Sequence, residues 1–175
     1  MVNESFEYVY ENIKSNIHLE SISGGTDLVS CFVTGNPLMD VYSGEIQCKA
    51  LGMDVDVFDE KGNSIENQKG ELVCKTSFPS MPLYFWNDPD NKKYFNSYFS
   101  KYENIWYHGD YIEKTINGGY VIYGRSDATL NSGGVRIGTA EIYRVIENIT
   151  EVQEAVAVEY KLKNDTQIIL FVVLN

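Results

Sequence analysis

The stretch GRSDATLNSGGVRIGTAEI, residues Gly124 to Ile142, gathers Arg125, Asp127 and Arg136 around a glycine pair just ahead of a helical pattern. It is also where the texture of the chain changes. Upstream, short alternating runs separated by polar turns read as strands. Downstream, TAEIYRVIENI reads as a helix, with Thr139 as the N-cap candidate and acidic residues near its start. VQEAVAVEY and TQIILFVVLN then read as two strands of a small sheet, and an unpaired edge on the second would invite association. The change near residue 127 marks a boundary between a mostly-β part, 1–127, and the beginning of a smaller part, 128–175. The fold class is therefore α+β.

Working back from the boundary, GDYIEKT and GGYVIYG flank Ile116-Asn117-Gly118, whose Asn-Gly pair favours a hairpin turn. MDVDVFD alternates strictly and ELVCKT follows a polar, glycine-bearing connection, a second hairpin. GEIQCKA reads as another strand, and HLESIS as a strand entering the turn at Gly24-Gly25. FEYVYENIKSNI carries Phe6, Val9, Tyr10 and Ile13 at helical spacing. Tyr94, Phe95, Tyr98, Phe99 and Tyr102 form an aromatic stripe at helical period, expected to pack on a core. No basic residues line up beside it as a groove for stacked bases would require.

The balance of 14 basic against 25 acidic residues, a net charge of −11, argues against a nucleic-acid binder. It also leaves no polybasic run for an anionic membrane. No apolar run approaches the roughly 20 residues of a spanning helix. The three cysteines, Cys31, Cys48 and Cys74, form no CxxC pair and suit a reducing compartment. A cytoplasmic, globular protein is the expectation.

Three places have the residue types for chemistry. In SISGGTD, Ser21 to Asp27, a glycine turn exposes backbone N–H groups. Thr26 adds a hydroxyl for a phosphate oxygen and Asp27 a carboxylate for Mg²⁺. An ordinary tight turn with an Asx cap accounts for the same letters. In WYHGDY, Asp110 follows a glycine, where a carboxylate can accept both hydroxyls of a ribose, or simply face solvent. The lone His108 beside it reads as structural. In the opening stretch Arg125 offers a planar fork, Ser132-Gly133-Gly134 lets a ligand run against the backbone, and Arg136 is a second cation. Solvated arginines around an interdomain turn are the competing account.

Taken together, SISGGTD, GEL, HGDY, YGRSDATLNSGGVRIGTAEIY and LFVVL resemble the adenylate-forming acyl-CoA synthetases, across almost the whole chain. The resemblance implies the distorted β-barrel subdomain that ends the large adenylation domain, over 1–127, followed by the start of the small C-terminal domain, over 128–175. It implies ATP, Mg²⁺ and coenzyme A as reactants and cofactors, acetoacetate as the acid, and the rest of a full-length enzyme as partner. Residue by residue it places Thr26 on the α-phosphate, Asp27 at the Mg²⁺-linked acidic position, where many relatives have Glu, and Asp110 on the ribose hydroxyls. Arg125 reaches the nucleotide and Ile122 flanks the adenine. Asp127 is the interdomain hinge, Gly134 lines the pantetheine tunnel, and Arg136 meets a coenzyme A phosphate. The family's phosphate loop and C-terminal catalytic lysine have no counterpart here. The chain is thus expected to be an internal piece that neither adenylates nor forms thioesters alone. A short acid such as acetate or propionate, or a non-catalytic nucleotide-binding or interaction module, are the alternative readings.

Overall fold

The computed structural model describes residues 2–128, 130–132, 135–161 and 166–175. These divide into two units, Met1–His108 with Ile112–Ile122, and Gly109–Tyr111 with Tyr123–Asn175.

The first unit opens on α1 (Asn3–Asn12), which buries Phe6. Strand β1 (Ser23–Gly25) pairs antiparallel with β2 (Ser30–Thr34), which pairs with β3 (Cys48–Lys49). The glycine pair therefore lies inside a strand, and His18–Ile22 has no regular structure, contrary to the strand expected at HLESIS. Packing density explains the shift. A Cβ on Gly24 would sit 2.1 Å from the Ser30 carbonyl oxygen, so only glycine lets β1 lie this close to β2.

Strands β4 (Val55–Phe58) and β5 (Lys69–Cys74) form the expected hairpin, Val57 opposite Leu72. Helix α2 (Lys92–Tyr98) follows, its first amides held by the Asp88 carboxylate, which accepts from Tyr94 N at 2.9 Å and Lys93 N at 3.2 Å. Burial pushes the Asp88 carboxyl up, and these amide donors outweigh it, holding the group below its ordinary range. Strands β6 (Trp106–Lys114) and β7 (Tyr120–Arg125) flank the Asn-Gly turn, where Gly118 has φ +82°. The second sheet has the order β4-β5-β6-β7. It joins the first by one reciprocal pair of 2.8 Å bonds between Ile46 and Tyr120. With a single bridge between them, the sheets of the described residues stay open, and none closes as a barrel would.

The core of this unit is aromatic. Trp106, 1% exposed, touches Phe32, Phe78, Tyr94 and Phe99 edge-on or tilted, and stacks on Tyr98 at 3.7 Å. The stripe on α2 thus packs as expected, except that Phe95 faces solvent. Burial pushes the Tyr120 phenol up to about 12, so it stays neutral in the core. Trp86, by contrast, is 92% exposed.

In the second unit a short 3-10 turn (Ser126–Ala128) leads to the antiparallel pair β8 (Leu130–Ser132) and β9 (Val135–Ile137). Helix α3 (Thr139–Ile146) has Gly138, not Thr139, at its N-cap. Gly138 is the extended residue, and the Glu141 carboxylate reaches back to its N–H at 3.1 Å, while Thr139 is already helical. Strands β10 (Val152–Lys161) and β11 (Thr166–Leu174) form a two-stranded antiparallel sheet. Helix α3 meets this sheet at β10, where Tyr143 Oη accepts from Ala157 N–H at 3.1 Å. One face leaves Val156, Val158, Phe171 and Val173 exposed, and the opposite face Leu170, Val172 and Leu174. Among the described residues no helix is long and apolar enough to cross a membrane.

Candidate functional site

In the first unit the turn Thr26–Val29 closes with Val29 N donating to Thr26 O at 3.1 Å. Leu28 is fully buried and anchors it, while the Thr26 and Asp27 side chains stay exposed. Val29 has φ +48°, a left-handed conformation that a β-branched residue adopts only under strain, on the order of 1–3 kcal/mol. Ahead of the turn, β1 is tied by His108, whose Nε2 lies 3.3 Å from the Gly24 carbonyl oxygen. Trp106 Nε1 donates to His108 Nδ1 at 3.4 Å, which leaves the ring proton on Nε2, directed at that carbonyl. The histidine is buried and bridges Trp106 to the Gly24 carbonyl.

The Asp27 carboxylate has a partner that sequence reasoning missed. Tyr98 Oη, at the end of α2, donates to Asp27 Oδ2 at 2.5 Å. The signal available was chemical: at this position the aromatic stripe uses Tyr, beside Phe95 and Phe99. Among the described residues no cluster of three or more His, Cys, Asp or Glu could hold a metal ion. A lone exposed carboxylate is still a fit for Mg²⁺, which typically takes one or two carboxylates and fills its octahedron from substrate phosphates and water. Asp27 is such a group.

In the second unit Asp110 lies within β6, 7% exposed. Arg125 at the end of β7 donates Nη1–H to Asp110 Oδ1 at 3.3 Å, and its Nε reaches Asp127 Oδ1 at 3.4 Å. Gly109, with φ +81°, makes this possible, since a Cβ there would sit 2.7 Å from Arg125 Nη2. Two of the three residues singled out at the boundary, Arg125 and Asp127, are thus brought together with Asp110. A half-exposed guanidinium over a buried carboxylate leaves a cationic surface beside an acceptor, an arrangement suited to a polyhydroxylated anion.

Ile122 lies in β7, half-buried against the main core of the first unit. Arg136 lies in β9 opposite Asn131, and Gly134 falls outside the described residues.

The same fold occurs as a segment of CoA ligases and synthetases of solved structure. Benzoate CoA ligase from Burkholderia xenovorans shares it with a TM-score of 0.73 at 22% identity, over 100% of this chain and 33% of that one. More specifically, the chain is homologous to acetoacetyl-CoA synthetases. The structure of that enzyme from Streptomyces lividans matches with a TM-score of 0.88 at 38% identity, over 98% of this chain and 26% of that one. The acetoacetyl-coenzyme A synthetase of Rhizobium meliloti is 56% identical over 169 residues, 97% of this chain and 26% of the relative. The chain spans about a quarter of the length of the curated relatives it matches. No family model matches it.

Proposed function

We propose that the chain is the nucleotide-positioning part of an ATP-dependent acid–CoA ligase acting on acetoacetate. Residues 1–127 would end its large domain and 128–175 begin its small one. In such a ligase the acid's carboxylate oxygen attacks the α-phosphorus of ATP and pyrophosphate leaves. The thiol sulfur of coenzyme A then attacks the acyl carbon, the thiol proton is lost, and AMP leaves.

Several residues of this chain have work to do in that scheme. Thr26 donates its hydroxyl to an α-phosphate oxygen, and Asp27 holds a divalent ion together with the phosphates. When bound, such an ion would supply positive charge to the triphosphate. Asp110 accepts the ribose hydroxyls, with Arg125 paired to its carboxylate and reaching the nucleotide. Ile122 flanks the base. Asp127 is the residue about which the small domain turns between half-reactions, and Gly134 and Arg136 serve coenzyme A. A cytoplasmic location accords with these substrates.

The observation that carries this reading is the buried Asp110 carboxylate clamped by Arg125 over a glycine with positive φ. Titration of the purified chain with AMP, compared with Asp110→Ala, tests it. Binding by the parent chain and a loss on the order of 10-fold or more in the variant is expected, a buried charge-assisted contact being worth about 1.5–3 kcal/mol. Equal binding by the two chains, or none by the parent, overturns it. The same chain is expected to release no AMP when given acetoacetate, ATP and coenzyme A.

A further inference from the structure

Asp27 and Tyr98 are 71 residues apart, and each is immobilised by something other than their shared bond. On one side, Leu28 is buried and Val29 holds the turn in a left-handed conformation, so the Asp27 backbone is pinned on its C-terminal flank. On the other, the Tyr98 ring is sandwiched by construction. It stacks on Trp106 at 3.7 Å and 13°, and meets Phe85 at 6.0 Å and 82° and Tyr94 at 6.0 Å and 71°. A ring so held can present its hydroxyl in one direction only, and that direction is Asp27 Oδ2.

We infer that Tyr98 is the positioning residue for the Asp27 carboxylate, holding Oδ2 by a donated proton and turning Oδ1 toward a divalent cation. This rests on the assignment of Asp27 to the metal. The packing role of Tyr98 alone does not call for a hydroxyl, because Phe99 packs on the same core without one. A carboxylate with one oxygen already oriented loses less rotational freedom when the ion arrives. A hydroxyl donor, unlike a lysine, supplies that orientation without adding a positive charge that would repel the ion.

The test uses the ¹⁵N-labelled chain and Mn²⁺ alone, read as paramagnetic broadening of the Thr26 amide, in the parent, Tyr98→Phe and Asp27→Asn. Phenylalanine keeps the stack on Trp106, so an unchanged thermal midpoint and near-ultraviolet dichroism show that the core is intact. The inference expects half-broadening in Tyr98→Phe to need on the order of 10-fold more Mn²⁺ than in the parent, with the broadening abolished in Asp27→Asn. Loss in Asp27→Asn with no change in Tyr98→Phe overturns the role of Tyr98 and leaves Asp27 as the metal residue. Broadening that is absent, or that Asp27→Asn leaves untouched, overturns the metal assignment and the inference with it.

Discussion

The two units bury apolar residues in opposite ways. The first places Trp106, Phe32, Phe78 and Tyr94 in one continuous aromatic interior. The second has Leu130, Ile146 and Ala157 buried, yet its β10–β11 sheet presents Val156, Val158, Phe171 and Val173 to solvent. Strand propensity is high in both, so propensity does not separate them. What separates them is whether the sheet has a second apolar layer to pack on: the first unit supplies α2 and the loops around Phe78 and Phe85, whereas β10–β11 has exposed apolar side chains on both faces, Leu170 and Val172 on one, Val156 and Phe171 on the other.

Truncating an aromatic residue in each unit puts that contrast at risk. Trp106→Ala removes the ring at the centre of the first core, and a loss of about 3–5 kcal/mol by urea unfolding is expected. A loss under about 1 kcal/mol would show that this interior is not closed. The Asp56–Lys75 pair, 2.9 Å apart on the edge of the same sheet, tests its electrostatic fringe. Burial pushes the Asp56 carboxyl up, but the Lys75 ammonium, the Val57 amide and the Ser64 hydroxyl outweigh it and hold the group below its ordinary range. A depressed carboxyl stabilises above its unfolded pKa, near 3.9, and that contribution fades as pH falls through the folded value. Asp56→Asn should therefore cost up to about 1 kcal/mol near neutral pH, the cost shrinking as pH falls below about 3.9, measured as paired urea midpoints. In the second unit, Phe171→Ala removes a ring that is 60% exposed and should change stability by no more than about 0.5 kcal/mol. A larger, concentration-dependent loss would show that association covers this face.

Much of the fold was legible in the letters because it is local. The Asn-Gly turn announced β6 and β7, and the Val/Asp alternation announced β4. The glycine pair was misread, since a turn and a close strand approach both ask for glycine, and only the position of Ser30 distinguishes them. The N-cap of α3 was misplaced by one residue for a similar reason, the glutamate of the cap serving either start. At the candidate site Asp27, Asp110 and Arg125 stood out through their neighbours. Tyr98 did not, because its bond to Asp27 depends on a tertiary approach that no spacing within a helix can encode. Its ring obeyed the periodicity, and its hydroxyl was the only sign of a second duty.

The stack of Tyr98 on Trp106 also has an optical consequence. The chain has two tryptophans, and they sit at opposite extremes of exposure, Trp86 at 92% and Trp106 at 1%. A collisional quencher in the water reaches the first and not the second. Once the outer indole is darkened, what still glows is a chromophore in contact with the phenol that holds Asp27. The corner proposed for the metal and the α-phosphate thus carries, one ring away, an indole that can be excited in the native chain with no label attached.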